Sequence, residues 1–251
     1  MSEVRTEFLA GWGGARLAVH RLGKGRPVLL LHGLFSSAAV NWIKFGHAQK
    51  LADAGYEAIM PDLRAHGQSA APHDPQAYPA DVLVRDVLAL TEQLGLVDFD
   101  LGGFSLGSRT AVRAVVTGLA PRRLILGGMG LEGLAGWARR SDFFIDAIDR
   151  FEEVKRGDPA FVAKSFMKTQ KTDLVATRLL LGSVDDTPPD AIARVTMPTL
   201  VVCGADDRDN GSAPALAEAL PDARYAEIPG THMSSVTQRE LGDAMVAFLL
   251  A

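Results

Sequence analysis

Five nearly continuous apolar runs punctuate this chain: Val28 to Leu31, Tyr56 to Met60, Phe99 to Phe104, Leu124 to Leu126 and Leu200 to Cys203. A strand that is apolar at almost every position has no solvent face, so it belongs in the middle of a parallel sheet covered on both sides. Segments with helical spacing lie between and after these runs, at about Asn41 to Ala54, Ala80 to Leu94, Leu106 to Leu119, Ala213 to Leu220 and Ser235 to Leu250. Two short alternating segments, Arg5 to Ala10 and Ala15 to Leu22, joined through Gly11-Trp12-Gly13-Gly14, predict an antiparallel pair at the start. The expected class is α/β, a doubly wound and mostly parallel sheet. A chain of 251 residues with 47% hydrophobic composition can bury such a core as one domain with an insertion.

One interval breaks the alternation. Residues 130–196 contain no convincing strand, while Asp142 to Val154, Pro159 to Thr169 and Asp173 to Leu181 carry helical spacing of phenylalanine and aliphatic residues. The organisation expected is a core of residues 1–129 and 197–251, with 130–196 as a helical insertion. A net charge of −4 without charge runs predicts neither nucleic acid nor an anionic membrane surface as a partner. The single Cys203 leaves no internal disulfide framework and reads as a small buried residue. Neither a leader segment nor a run of ~18 apolar residues is present, which predicts a cytoplasmic protein.

The chemistry is concentrated at Gly103-Phe104-Ser105-Leu106-Gly107, directly after an apolar run. Glycines two before and two after the serine leave room for a sharp strand-to-helix turn, which presents a nucleophile by backbone geometry. An acidic loop follows, Gly204-Ala205-Asp206-Asp207, and then Pro229-Gly230-Thr231-His232. A serine hydroxyl is a weak nucleophile and needs a base, for which His232 is the candidate. A carboxylate would fix that histidine's tautomer and stabilise the imidazolium. Adjacent residues leaving a strand point to opposite sides, so at most one of Asp206 and Asp207 can face His232.

The order nucleophile, acid, histidine resembles that of the α/β-hydrolase superfamily. His32-Gly33-Leu34 resembles that family's oxyanion loop, and Asp62-Leu63-Arg64-Ala65-His66-Gly67-Gln68-Ser69 resembles its Asp-x-Arg-Gly-x-Gly-x-Ser turn, with Ala65 in place of the first glycine. The resemblance covers nearly the whole chain. It implies that 130–196 is a cap over the active site, that Asp207 is the acid, and that the backbone N–H groups of Leu34 and Leu106 bind the oxyanion while their side chains shape the pocket. Asp209 and Glu132 are reserve positions for the acid. Arg109, one helical turn beyond Ser105, is a candidate substrate contact as well as a candidate salt-bridge partner.

The other histidines read as structural: His32 bracing its loop, His66 in a turn, and His20, His47 and His73 on the surface. Asp62 and Arg64 read as holding the loop after the fourth strand. No metal-ligand cluster and no phosphate or dinucleotide loop is legible, so neither metal nor cofactor is expected. The expected function is a serine hydrolase, carboxylesterase-like, that cleaves small, moderately apolar esters or thioesters. Family members that open epoxides or remove halogen attack with aspartate at the position of Ser105. Alternatives with the same three residues are a carbon–carbon bond hydrolase and a pyruvate-eliminating lyase, the latter resembling menaquinone-pathway synthases at Gly103 to Arg109. In the lyase Arg109 would bind a carboxylate, with Arg139, Arg140 or Arg178 as further cations. A non-enzymatic ligand-binding protein on the same scaffold is the remaining class.

Overall fold

Neighbouring residues of one strand face opposite layers, and in the middle of this sheet both layers are apolar. Leu29 and Leu31 pack with Ile59, Leu101, Leu126 and Val201 on one side. Val28 and Leu30 pack with Ala58, Met60, Ile125 and Val202 on the other. The period of two is therefore present in the strands, but it sorts apolar residues between two cores instead of separating core from solvent.

The computed structural model describes residues 3–251. Its eight strands are β1 (Arg5–Ala10), β2 (Arg16–Gly23), β3 (Arg26–Leu31), β4 (Tyr56–Pro61), β5 (Asp100–Phe104), β6 (Leu124–Gly127), β7 (Thr199–Gly204) and β8 (Ala223–Ile228). They lie in the order β1-β2-β4-β3-β5-β6-β7-β8. The pairs β1/β2 and β2/β4 are antiparallel, and all others are parallel. Helices are α1 (His47–Asp53), α2 (Val82–Gln93), α3 (Leu106–Val116), α4 (Leu131–Ala135), α5 (Trp137–Asp149), α6 (Phe161–Gln170), α7 (Leu174–Leu181), α8 (Ala213–Ala219), α9 (His232–Ser235) and α10 (Arg239–Leu250). α1 and α10 cover one face through Leu51, Leu241, Met245 and Phe248. α2, α3 and α8 cover the other through Val87, Val112 and Leu216. Among the described residues no helix is long and apolar enough to cross a membrane.

Three elements differ from the sequence reading. β8 has no continuous apolar run because it is an edge strand, and Arg224, Tyr225 and Glu227 face solvent. The predicted helix from Asn41 to Ala54 is broken at Gly46, which adopts a left-handed φ of 80° between a wide helical turn at Ala39–Ile43 and α1. The predicted helix from Ser235 divides into α9, which begins on His232, and α10.

Candidate active site

The strand order brings the carboxyl ends of β3, β5, β7 and β8 to one edge, and the loops leaving them carry the polar side chains. Ser105 lies between the centre strand β5 and α3, with φ 53° and ψ −112°. A non-glycine residue rarely occupies this region, and such strain collects at functional turns. The flanking glycines are required by close approach. A Cβ on Gly103 would lie 2.3 Å from the Gly107 carbonyl carbon, and one on Gly107 would lie 2.0 Å from the Leu31 oxygen.

The Ser105 hydroxyl oxygen is 3.0 Å from His232 Nε2, and His232 Nδ1 is 2.8 Å from Asp207 Oδ2. All three side chains are buried. His232 is placed at the start of α9 by its neighbour Thr231, whose hydroxyl and backbone N–H form a reciprocal capping box with Ser234. Of the four carboxylates considered from sequence, only Asp207 contacts the histidine. Asp206 is exposed, Asp209 pairs with Arg140, and Glu132 Oε2 accepts from the Ser212 N–H at 2.7 Å.

Burial pushes the Asp207 carboxyl up, but the hydrogen bond and charge of His232, the Asp209 N–H and the Cys203 thiol outweigh it and hold it below the usual carboxylate value. Cys203 was legible only as a buried residue. Its thiol donates to Asp207 Oδ2 at 3.4 Å, and burial together with the Asp207 charge pushes it up to about 12, so it stays an S–H donor.

The loop after β3 faces Ser105: a Cβ built on Gly33 would lie 3.5 Å from the Ser105 Cβ. Four buried side chains clamp this loop. His32 Nδ1 donates to the Gly33 oxygen at 2.8 Å, and its Nε2 accepts from the Leu63 N–H at 2.9 Å. His66 Nε2 accepts from the Phe35 N–H at 3.0 Å, with Nδ1 donating to the Arg64 oxygen. Asp62 Oδ1 accepts from the Ala38 N–H, and Asn41 Oδ1 from the Gly33 N–H. Ala65 stands at φ 65°, the left-handed conformation for which glycine is the low-cost residue.

Both imidazoles accept a backbone N–H and must therefore be neutral. Burial and then the neighbouring His32 push His66 down to about 3, and burial also lowers His32 and His47. His47 is not a surface residue: it is fully buried with Nε2 donating to the Val236 oxygen at 2.7 Å. His20 is buried as well, against Asp62, whereas His73 is exposed beside Asp173.

Between the unfolded value of about 6.5 and the folded value near 3, only the unfolded chain binds the proton at His66. Stability is thus complete above that window and is lost as pH falls through it, by about 1.4 kcal/mol per pH unit for His66. Urea midpoints should fall steadily from neutral pH to about pH 5, before ordinary carboxylates titrate. A midpoint that is flat over that range would contradict the assignment of neutral, accepting imidazoles.

A family model described as alpha/beta hydrolase fold matches residues 26–123. An esterase from Exiguobacterium antarcticum superposes with a TM-score of 0.81 over 98% of this chain and 100% of that one, at 21% identity. The chain is an α/β-hydrolase-fold protein. It is similar to epoxide hydrolase 2 of Siraitia grosvenorii, 36% identical over 99 residues, which are 39% of this chain and 30% of that protein. The matched stretch therefore spans less than a third of that relative. Pyrrolizixenacetamide deacetylase of Xenorhabdus hominickii is 23% identical over 240 residues, 87% of this chain and 88% of that one.

In this α/β-hydrolase fold a cavity of about 1040 Å³ opens above the serine. Ser105, His232, Leu34 and Asn41 line it from the sheet side, and Phe143, Phe144, Val162 and Phe166 line it from α5 and α6, which lie between β6 and β7 in the chain. Arg139 and Arg140 also reach it, but Arg178 does not; it pairs with Asp149 on the surface. Of the two sequence readings of Arg109, the structure shows the salt bridge and not the substrate contact. Arg109 is buried away from the cavity, donates to the Leu134 and Gly133 oxygens and to Asp186, and stacks on Trp137, so it ties α3 to α4 and α5. The Leu106 side chain is likewise buried off the cavity. Among the described residues no group of three or more His, Cys, Asp or Glu side chains could hold a metal ion.

Proposed function

We propose that this chain is a serine hydrolase that cleaves small, moderately apolar carboxylic esters or thioesters through an acyl-enzyme on Ser105. The observation that carries this reading is the unbroken line from the Ser105 hydroxyl through His232 to Asp207, with contacts of 3.0 and 2.8 Å, at the floor of an aromatic cavity. His232 Nε2 takes the Ser105 proton as the oxygen attacks the acyl carbon, and Asp207 stabilises the imidazolium that forms. The tetrahedral oxygen accepts from the backbone N–H groups of Leu34 and Leu106, neither of which has a protein acceptor among the described residues. The imidazolium then protonates the departing alcohol, and a water activated by the same histidine releases the acid. In this reading 130–196 is a cap: α5 and α6 hold the apolar part of the substrate and keep water from the intermediate.

Similarity to epoxide hydrolases does not transfer that activity, for a chemical reason. A carboxylate that opens an epoxide leaves an ester, which water can cleave. A serine oxygen that opens one leaves an alkyl ether, and no group beside Ser105 can hydrolyse it. Turnover would stop after one event.

The test is a substrate panel: p-nitrophenyl esters of graded acyl length, acyl-CoA thioesters and styrene oxide. We expect turnover of the oxygen esters or thioesters and none of the epoxide. Phe144→Ala should shift the preferred chain length while leaving the smallest ester within about threefold, because an apolar wall discriminates by size and not by chemistry. Epoxide turnover with every ester untouched would overturn the reading.

A further inference from the structure

Gly33 is the one glycine between β3 and the helical turn at Ala39, so no side chain restrains its backbone, and the Leu34 N–H is aimed by the peptide plane that follows it. One side of that glycine is gripped by His32, which donates to the Gly33 oxygen at 2.8 Å. The other side is gripped by Asn41, whose Oδ1 accepts from the Gly33 N–H at 3.1 Å across the loop. Asn41 is 2% exposed, yet its Nδ2 has no hydrogen-bond partner among the described residues. Buried amides are ordinarily satisfied at both ends, because an unpaired buried donor is costly. Here only the end that holds the loop is paired, on a side chain that lines the cavity with Ser105 and His232.

We propose that Asn41 is a positioning residue for acyl transfer: by holding the Gly33 N–H it fixes both flanks of the glycine and so aims the Leu34 N–H at the developing oxyanion. The inference rests on the serine-hydrolase reading. The Asn41 contact is present before substrate binds, but the Leu34 N–H it aims is fully engaged only by the transition-state oxyanion and not by the bound ester, so its loss lowers kcat and leaves KM in place.

The test compares Asn41→Ser, whose hydroxyl is too short to reach Gly33, with Asn41→Asp, which keeps an acceptor of the same shape. Asn41→Ser should lose about 10²-fold in kcat, the scale of removing one oxyanion donor. KM should stay within about threefold. A trifluoromethyl ketone, which forms a tetrahedral adduct on the serine, should weaken by the same factor as kcat, while inhibition by the carboxylate product is unchanged. Asn41→Asp should recover to within about tenfold of the unaltered chain.

Unchanged kcat in Asn41→Ser, or parallel losses in kcat and product inhibition, would overturn the positioning role. If Asn41→Ser does not fold, Asn41→Asp decides, and a 10²-fold loss in it overturns the proposal. An unaltered chain that neither hydrolyses esters nor binds the ketone would overturn the serine-hydrolase reading itself, and the role of Asn41 with it.

Discussion

Replacing Asp207 by asparagine is expected to lower turnover on the order of 10⁴-fold while the fold and melting temperature stay close to those of the parent chain. An amide at this position can donate to Nδ1, which favours the tautomer whose Nε2 carries the proton and cannot accept one from Ser105. The backbone contacts of the loop survive: the Asp207 N–H still donates to the Gly204 oxygen at 2.9 Å. Asp206→Asn should cost less than about threefold, because its side chain is exposed and does not reach His232. Measuring kcat for the two variants on one ester separates adjacent aspartates. Reversed results would mean that the orienting acid has been placed one residue out of register.

Arg64→Met should destabilise the chain by about 3–5 kcal/mol, enough to remove a large part of the stability of a domain this size. Arg64 is 1% exposed and makes a two-pronged contact with Asp86 at 2.9 and 2.7 Å, while its remaining donors reach the Ala77 and Trp12 oxygens. Burial already pushes the Asp86 carboxyl up against the opposing effect of Arg64. Without Arg64 that carboxyl must take a proton or stay charged and unpaired. The double variant Arg64→Met with Asp86→Leu should recover much of the loss, since removing both charges removes the desolvation cost. Urea midpoints for the two single variants and the double test this, and equal midpoints in all would contradict it.

The five central strands were legible because each is apolar at successive positions, which only a doubly covered sheet explains. β8 was not, since its solvent-facing Arg224, Tyr225 and Glu227 mask the pattern of an edge strand. Ser105 and His232 could be read as candidates because backbone-dictated glycines and chain order mark them locally. Of the clamps behind the site, His32 and Asp62 could be read as loop braces from their motifs, but Asn41 and Cys203 could not. Asn41 reaches Gly33 across eight residues, and Cys203 reaches Asp207 because β7 ends in a turn that folds the acid back over the strand. Arg109 was legible as either a substrate contact or a salt-bridged residue, and only Asp186 and Trp137, far along the chain, decide for the second by turning it into the protein. Burial of His20 and His47 depends equally on partners, Asp62 and Val236, that no local pattern announces.

The central claim is that Ser105 carries the acyl group, and it can be observed directly. A p-nitrophenyl ester mixed with excess protein, quenched within one turnover and digested, should give a single peptide heavier by the acyl mass, with the addition on Ser105. Ser105→Ala should give neither the adduct nor turnover. An adduct on another residue, or undiminished hydrolysis by Ser105→Ala with no adduct, would contradict the account.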